Sequence, residues 1–78
     1  MNLPEITESD FGAISELMDN SFSYTFSQWL NLCAEWKREY AESQIRWVRI
    51  DPSRLDKHFA TTSAPRNLNE LLKFAETL

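Results

Sequence analysis

The chain has 78 residues and a net charge of −4, with one cysteine, one histidine and one glycine. A single cysteine excludes an internal disulfide and fits a reducing compartment. No apolar run approaches the roughly 18 residues of a membrane span, and the first eight residues lack the basic start and apolar core of a signal peptide. We therefore expect one soluble, cytoplasmic domain over residues 1–78, held together by packing.

Charge is distributed unevenly along the chain. Residues 1–36 hold six carboxylates and no Lys or Arg, whereas residues 37–66 hold seven cations against four carboxylates. The two segments neutralise each other if they pack side by side. Alternatively, they form opposite faces, one of which meets a charged partner.

A first helix is predicted to start at Thr7 or Ser9, because both are good N-caps and acidic residues follow them. Its apolar positions recur at three- and four-residue spacing, which places them on one face: Phe11, Ile14, Leu17 and Met18. The sequence Asp-Asn-Ser at 19–21 is a credible stop.

The next stretch, SFSYTFS at residues 21–27, alternates aromatic and hydroxyl side chains. Alternation is typical of a half-buried strand, which would need residues 45–50 as a parallel partner across an intervening helix. We favour a helix–helix connection whose three rings enter the core. A remaining alternative is a partly exposed aromatic patch that binds a partner.

A second helix is predicted from residue 27, with Ser27 as its cap, to about residue 43. One stripe contains Trp29, Leu30, Cys33, Trp36, Lys37 and Tyr40. Residues 44–50 are rich in β-branched and aromatic side chains, so this segment is left open between helix and strand.

Two shorter helices are predicted to complete the chain. Asp51 as N-cap and Pro52 at the first helical position begin the third, which turns Leu55 and Phe59 inward. Asn67 caps the fourth, with Glu70 three residues later as in a capping box. The apolar stripe of this last helix runs to the chain end and contains Leu68, Leu71, Leu72, Ala75 and Leu78.

The sequence offers little catalytic chemistry. One glycine cannot build a phosphate-binding loop, and no cluster of Cys and His predicts a metal site. Cys33 lies on an apolar stripe and is interpreted as a small core residue. His58 is interpreted as a core-edge or surface residue. We expect no enzyme activity, no cofactor and no metal.

The segment ITESDFGAISELM, residues 6–18, resembles the opening strand-to-helix segment of the GNAT family of N-acetyltransferases. It covers about a sixth of the chain. Membership would imply a glycine-rich loop for acetyl-coenzyme A and about twice this length, and the chain has neither. A capped amphipathic helix gives the same pattern by itself, so no activity is taken from the resemblance.

A nucleic-acid-binding regulator is the alternative function. It would use the basic segment 37–66, where cations accompany an aromatic ring: Arg46, Trp47, Arg49, Arg54 and Lys57. The overall acidity and the single lysine of the last helix make nucleic acid the weaker hypothesis.

The sequence therefore predicts a mainly α, four-helix domain, in which the segment near 45–50 is left open between helix and a short extended segment, acting as an acidic protein-binding module. It would be an inhibitor, an antitoxin- or immunity-like protein or an adaptor, of the kind found as bacterial or phage regulators. A homodimer through the last helix and the Trp29/Trp36 face is an alternative assembly. The predicted contact set is Glu8, Asp10, Glu16, Asp19, Phe22, Tyr24 and Phe26, with Glu5 beside it.

Overall fold

Four helices and two short parallel strands make up the chain, and the computed structural model describes all residues, 1–78. The elements in chain order are β1 (Asn2–Glu5), α1 (Glu8–Leu17), α2 (Phe26–Glu39), a 3₁₀ turn (Glu42–Gln44), β2 (Arg46–Arg49), α3 (Pro52–Thr61) and α4 (Leu68–Glu76). The predicted mainly helical domain is thus confirmed, and the open segment near 45–50 contains a strand. No helix combines the length and the apolar character that crossing a bilayer requires.

The first strand, β1, is an element that the sequence did not predict. It pairs in parallel with β2, in a register that sets Leu3 beside Trp47 and Pro4 beside Val48. Pro4 lacks an N–H, and the strand tolerates it because only alternate residues of β1 face β2. The carbonyls of Met1 and Glu5 accept hydrogen bonds from β2, so the nitrogen of Pro4 faces away from the ladder.

Local capping explains where the helices begin. Thr7 accepts from the Asp10 N–H, and Asp51 accepts from the Ser53 N–H with Pro52 at the helix start, as predicted. Thr25, rather than Ser27, caps α2, and it forms a reciprocal capping box with Gln28. Helix α2 therefore begins at Phe26, and it ends at Glu39, about four residues before the predicted end.

The hydrophobic core joins β2 to all four helices, and Leu3 of β1 is also buried. The largest fully buried side chain of the core is Trp29, which is 1% exposed, and Ile14, Ile50, Leu55 and Leu71 are completely buried. Helix α4 packs on β1, and α1 packs on α3. Within this core, aromatic rings cluster around Trp29.

The segment 22–25 before α2 is a connection and not a strand. The Phe22 ring lies 5.0 Å from that of Tyr24 and 5.7 Å from that of Trp29, and Phe26 contacts Phe11 at 5.4 Å. The favoured prediction of a helix–helix connection is therefore confirmed; of its three rings, Phe22 is buried, while Tyr24 and Phe26 are half-buried against the core. Burial alternates along this connection as it does in a strand, since Phe22 and Tyr24 contact the core while Ser23 and Thr25 are exposed.

Candidate partner-binding surfaces

The acidic residues of the first helix fall into two groups. Glu8 and Glu16 are exposed, and neither lies within ion-pair distance of a cation. Asp10 is different, because its Oδ2 accepts from Nη2 of Arg49 at 2.8 Å and from Nε at 3.1 Å. Its charge is matched within the fold and its side chain is only 17% exposed, so we remove Asp10 from the set of side chains available to a partner.

The Asp10–Arg49 pair also tests whether the acidic and basic segments neutralise each other. It is the only ion pair between residues 1–36 and residues 37–66. Its arginine side chain is 57% exposed, so it is worth at most about 1 kcal/mol. Most of the acidic charge in the first half of the chain therefore faces solvent without a direct counter-charge.

Asp19 lies two residues beyond the end of α1, in a local turn. Its Oδ1 accepts hydrogen bonds from the backbone N–H of Ser21, at 2.8 Å, and from the Ser21 hydroxyl. These bonds favour the ionised form, so the pKa of Asp19 lies below its ordinary value. Asp19 is thus an exposed, charged residue, but its carboxylate already has a structural task.

A shallow groove between α1 and α3 places a second carboxylate beside Glu16. The groove has a volume of about 260 Å³ and is lined by Ala13, Glu16, Leu17, Pro52, Ser53 and Asp56. Sequence reasoning missed Asp56, because it counted this residue with the basic segment. The available signal was the exposed, polar face of α3, on which Ser53 and Asp56 lie three residues apart.

The three aromatic rings of the predicted contact set do not form a surface patch. Phe22 is 5% exposed and lies in the core, which corrects its place among the contact residues. Phe26 is half-buried against the same core. Tyr24, also half-buried, lines a shallow groove of about 340 Å³ together with Gln28 and Glu35. Tyr24 is therefore the ring of the three that borders an exposed groove.

The predicted nucleic-acid set is divided between two elements. Arg46 and Arg49 are exposed on β2, while the Trp47 ring is covered by Nζ of Lys37 at 5.6 Å. Arg54 and Lys57 border a separate groove beside the end of α4. No cavity is lined by members of both groups, so the structure does not bring this set together into one groove.

Cys33 lines a cavity of about 160 Å³ between α2 and the carboxyl end of the sheet. The other lining residues are Glu5, Ile6, Trp29, Leu30, Lys37 and Trp47. Burial raises the pKa of the Cys33 thiol to about 11; Lys37 opposes this shift and Glu5 adds to it. The thiol is therefore protonated at neutral pH, a state that is a poor nucleophile.

His58 has a structural environment at the edge of the core. Its Nε2 lies 2.9 Å from Oε2 of Glu70, and its ring centre lies 4.9 Å from that of Phe74. The pair ties α3 to α4. The Glu70 side chain makes this contact and does not complete the predicted capping box. Only the Asn67 side chain caps the helix, by accepting from the Glu70 N–H. Across the molecule, no three His, Cys, Asp or Glu side chains are placed to hold a metal.

The surfaces from which a homodimer was predicted lie largely inside the chain. Trp29, Leu71 and Ala75 are fully buried, and Trp36 packs against the same core. Leu30 is an exception, because half of its surface is exposed although it belongs to the predicted apolar stripe. The stripe is wider than the face that α2 buries.

Comparison of the chain with family models, with curated proteins and with solved structures found no match.

Proposed function

We propose that this chain is a small, non-enzymatic protein-binding module that acts by surface contact on a basic partner. The contact surface, called the acidic surface below, consists of Glu8, Glu16 and Asp56 with the α1–α3 groove between the last two. Inhibitor, antitoxin, immunity protein and adaptor are the roles that fit such a module, and a nucleic-acid-binding groove on the partner is a target of suitable charge.

One observation carries the proposal: six carboxylates on residues 1–36 meet the basic segment in a single ion pair. Exposed charge of one sign raises the rate of encounter with an opposite surface and fixes orientation. The protonated state of Cys33 and the structural contacts of His58 also support a binding role over covalent catalysis. Ala13 and Leu17 add two apolar side chains to the lining of the groove.

A quantitative pull-down from the native host tests the acidic surface. The variant Glu16→Lys/Asp56→Lys is compared with Glu39→Lys/Glu42→Lys, which makes the same change in net charge at exposed positions elsewhere. We expect the first variant to capture the main partner about tenfold less well at low salt, and the control to bind like the unmodified chain. Light scattering on each sample reports whether the chain is a monomer or a homodimer.

Capture by both variants at the level of the unmodified chain would contradict the proposal, because the contact would then lie elsewhere. Equal loss in both would show that net charge alone, and not this surface, attracts the partner. A labelled single-stranded oligonucleotide at low salt tests the nucleic-acid alternative, because electrostatic binding is strongest there. Retardation of that oligonucleotide would favour the alternative.

A further inference from the structure

The outer edge of β2 has backbone groups that no other part of the chain uses. Arg46 donates its N–H to the carbonyl of Met1 at 2.8 Å, and Ile50 donates to Glu5 at 3.0 Å. Because bonds in a parallel ladder alternate along a strand, Val48 also faces β1, while Trp47 and Arg49 direct their N–H and C=O groups outward. No backbone or side-chain group bonds to these outward groups.

By contrast, the outer edge of β1 is covered by α4. The Asn2 N–H donates to Oε1 of Glu76 at 3.1 Å, and the Asn2 side-chain amide donates to the carbonyl of Ala75 at 3.1 Å. Helix α4 thus covers the β1 edge with its own groups. The sheet therefore has one edge at which a further strand can be added, and that edge belongs to β2.

Basic side chains lie along the β2 edge. Arg46 and Arg49 are exposed at its two ends, and Lys37 lies over the ring of Trp47. Asp10 binds Arg49, Glu5 borders the cavity beside Trp47, and Asp51 follows the strand by two residues. Arg46 and Lys37 have no ion-pair partner, and Arg49 keeps 57% of its side chain exposed beside Asp10, so the edge offers cations to an acidic segment.

The same arginines disfavour a second copy of this chain as the occupant. Because Trp47 and Arg49 face outward, antiparallel pairing of two β2 edges sets Trp47 of one copy opposite Arg49 of the other, and the two Arg49 side chains then lie diagonally across the pair. Long side chains reach one another at diagonal positions, so like charges there oppose pairing, whereas opposite charges favour it. Arginine at a sheet edge thus selects against self-pairing and for an acidic strand.

We propose that the outer edge of β2 binds an extended, acidic segment of a partner protein as an additional strand. The positions of the arginines set the spacing of the segment: carboxylates three residues apart lie opposite Arg46 and Arg49, and two apolar residues between them lie opposite Trp47 and Val48. Main-chain hydrogen bonds to Trp47 and Arg49 supply affinity, and the arginines supply selectivity. This site is separate from the acidic surface and prefers the opposite charge.

The probe is the acetylated and amidated peptide Thr-Glu-Val-Val-Glu-Thr, titrated into the ¹⁵N-labelled full chain and followed by NMR. We expect saturable shifts centred on the Trp47 and Arg49 amides, and slower hydrogen exchange at both. A peptide with Lys in place of both Glu residues should bind at least tenfold more weakly. A peptide N-methylated at alternate residues, so that it lacks donors on its pairing edge, should not bind.

Protein variants separate this site from general charge effects. Arg46→Glu should weaken binding at least tenfold and should accept the Lys peptide instead, while Lys57→Glu, an equal charge change on α3, should leave binding unchanged. Glu16→Lys/Asp56→Lys should also bind the peptide normally, which keeps this test independent of the proposed function.

Three outcomes would overturn the proposal. The first is an absence of shifts at Trp47 and Arg49. The second is equal binding of the N-methylated peptide, which would show that no strand is added. The third is binding of a single-stranded oligonucleotide at these residues in place of the peptide, which would assign the arginines to phosphate recognition.

Discussion

The two strands of the sheet have equal length but differ in what lies along their outer edges. β1 is closed by α4, which accepts hydrogen bonds from both the backbone and the side chain of Asn2. β2 has no protein partner along its outer edge and carries an exposed arginine at each end. The last helix thus covers one edge of the sheet and leaves the other edge, at which we propose that a strand is added, without a protein partner.

The largest expected effect is on the side that α4 closes. Leu71, which is completely buried, attaches α4 to the core, so Leu71→Ala should lower the free energy of unfolding by about 2–5 kcal/mol. Arg46→Ala should change it by no more than about 0.5 kcal/mol, because its side chain is exposed and without an ion-pair partner. Urea unfolding followed by tryptophan fluorescence measures both.

A loss of several kcal/mol for Arg46→Ala would show that the β2 edge is part of the stable core. The contrast between the two strand edges would then be wrong. If Leu71→Ala is too unstable to purify, Leu71→Val keeps most of the side chain and should still cost more than Arg46→Ala. Equal and small losses for Leu71→Val and Arg46→Ala would mean that α4 does not close β1 as described.

Hydrogen exchange distinguishes the two edges of β2 itself. The Val48 and Ile50 amides donate into the ladder, whereas the Trp47 and Arg49 amides face outward without a protein acceptor. We expect the outward pair to exchange at least about a hundredfold faster than the inward pair, because an unbonded amide exchanges without an opening step. Equal protection at all four amides in a dilute monomer would mean that the β2 edge is covered.

Local signals explain why much of the helical structure could be predicted from the sequence. Asp51 followed by Pro52, and Asn67 three residues before Glu70, specify helix starts through contacts within one turn. The core stripe of α4 is equally local, because its apolar spacing matches the helical period. These features depend little on the rest of the chain, so a single sequence reveals them.

Non-local pairing explains what the sequence did not reveal. β1 is four residues long and contains a proline, and it is stable as a strand only because β2, more than forty positions later, lies beside it. The ion pair that withdraws Asp10 from the predicted contact set is also non-local, because Arg49 is 39 positions away. The groove formed by Glu16 and Asp56 likewise requires α1 and α3 to pack together.

The smallest effect that we predict concerns the cavity beside β2, which Cys33 and Trp47 both line. A thiol pKa of about 11, against an ordinary value of 9.0, lowers the thiolate fraction at pH 8 about a hundredfold. The greater nucleophilicity of a more basic thiolate recovers about tenfold, so iodoacetamide should react about tenfold more slowly with the folded chain than with the chain in urea. The rate should rise about tenfold per pH unit up to pH 11, because each unit generates more thiolate. Cys33→Ser provides the blank, and a native rate that levels off near pH 9 would show instead that the cavity admits water freely and leaves the thiol with an ordinary pKa.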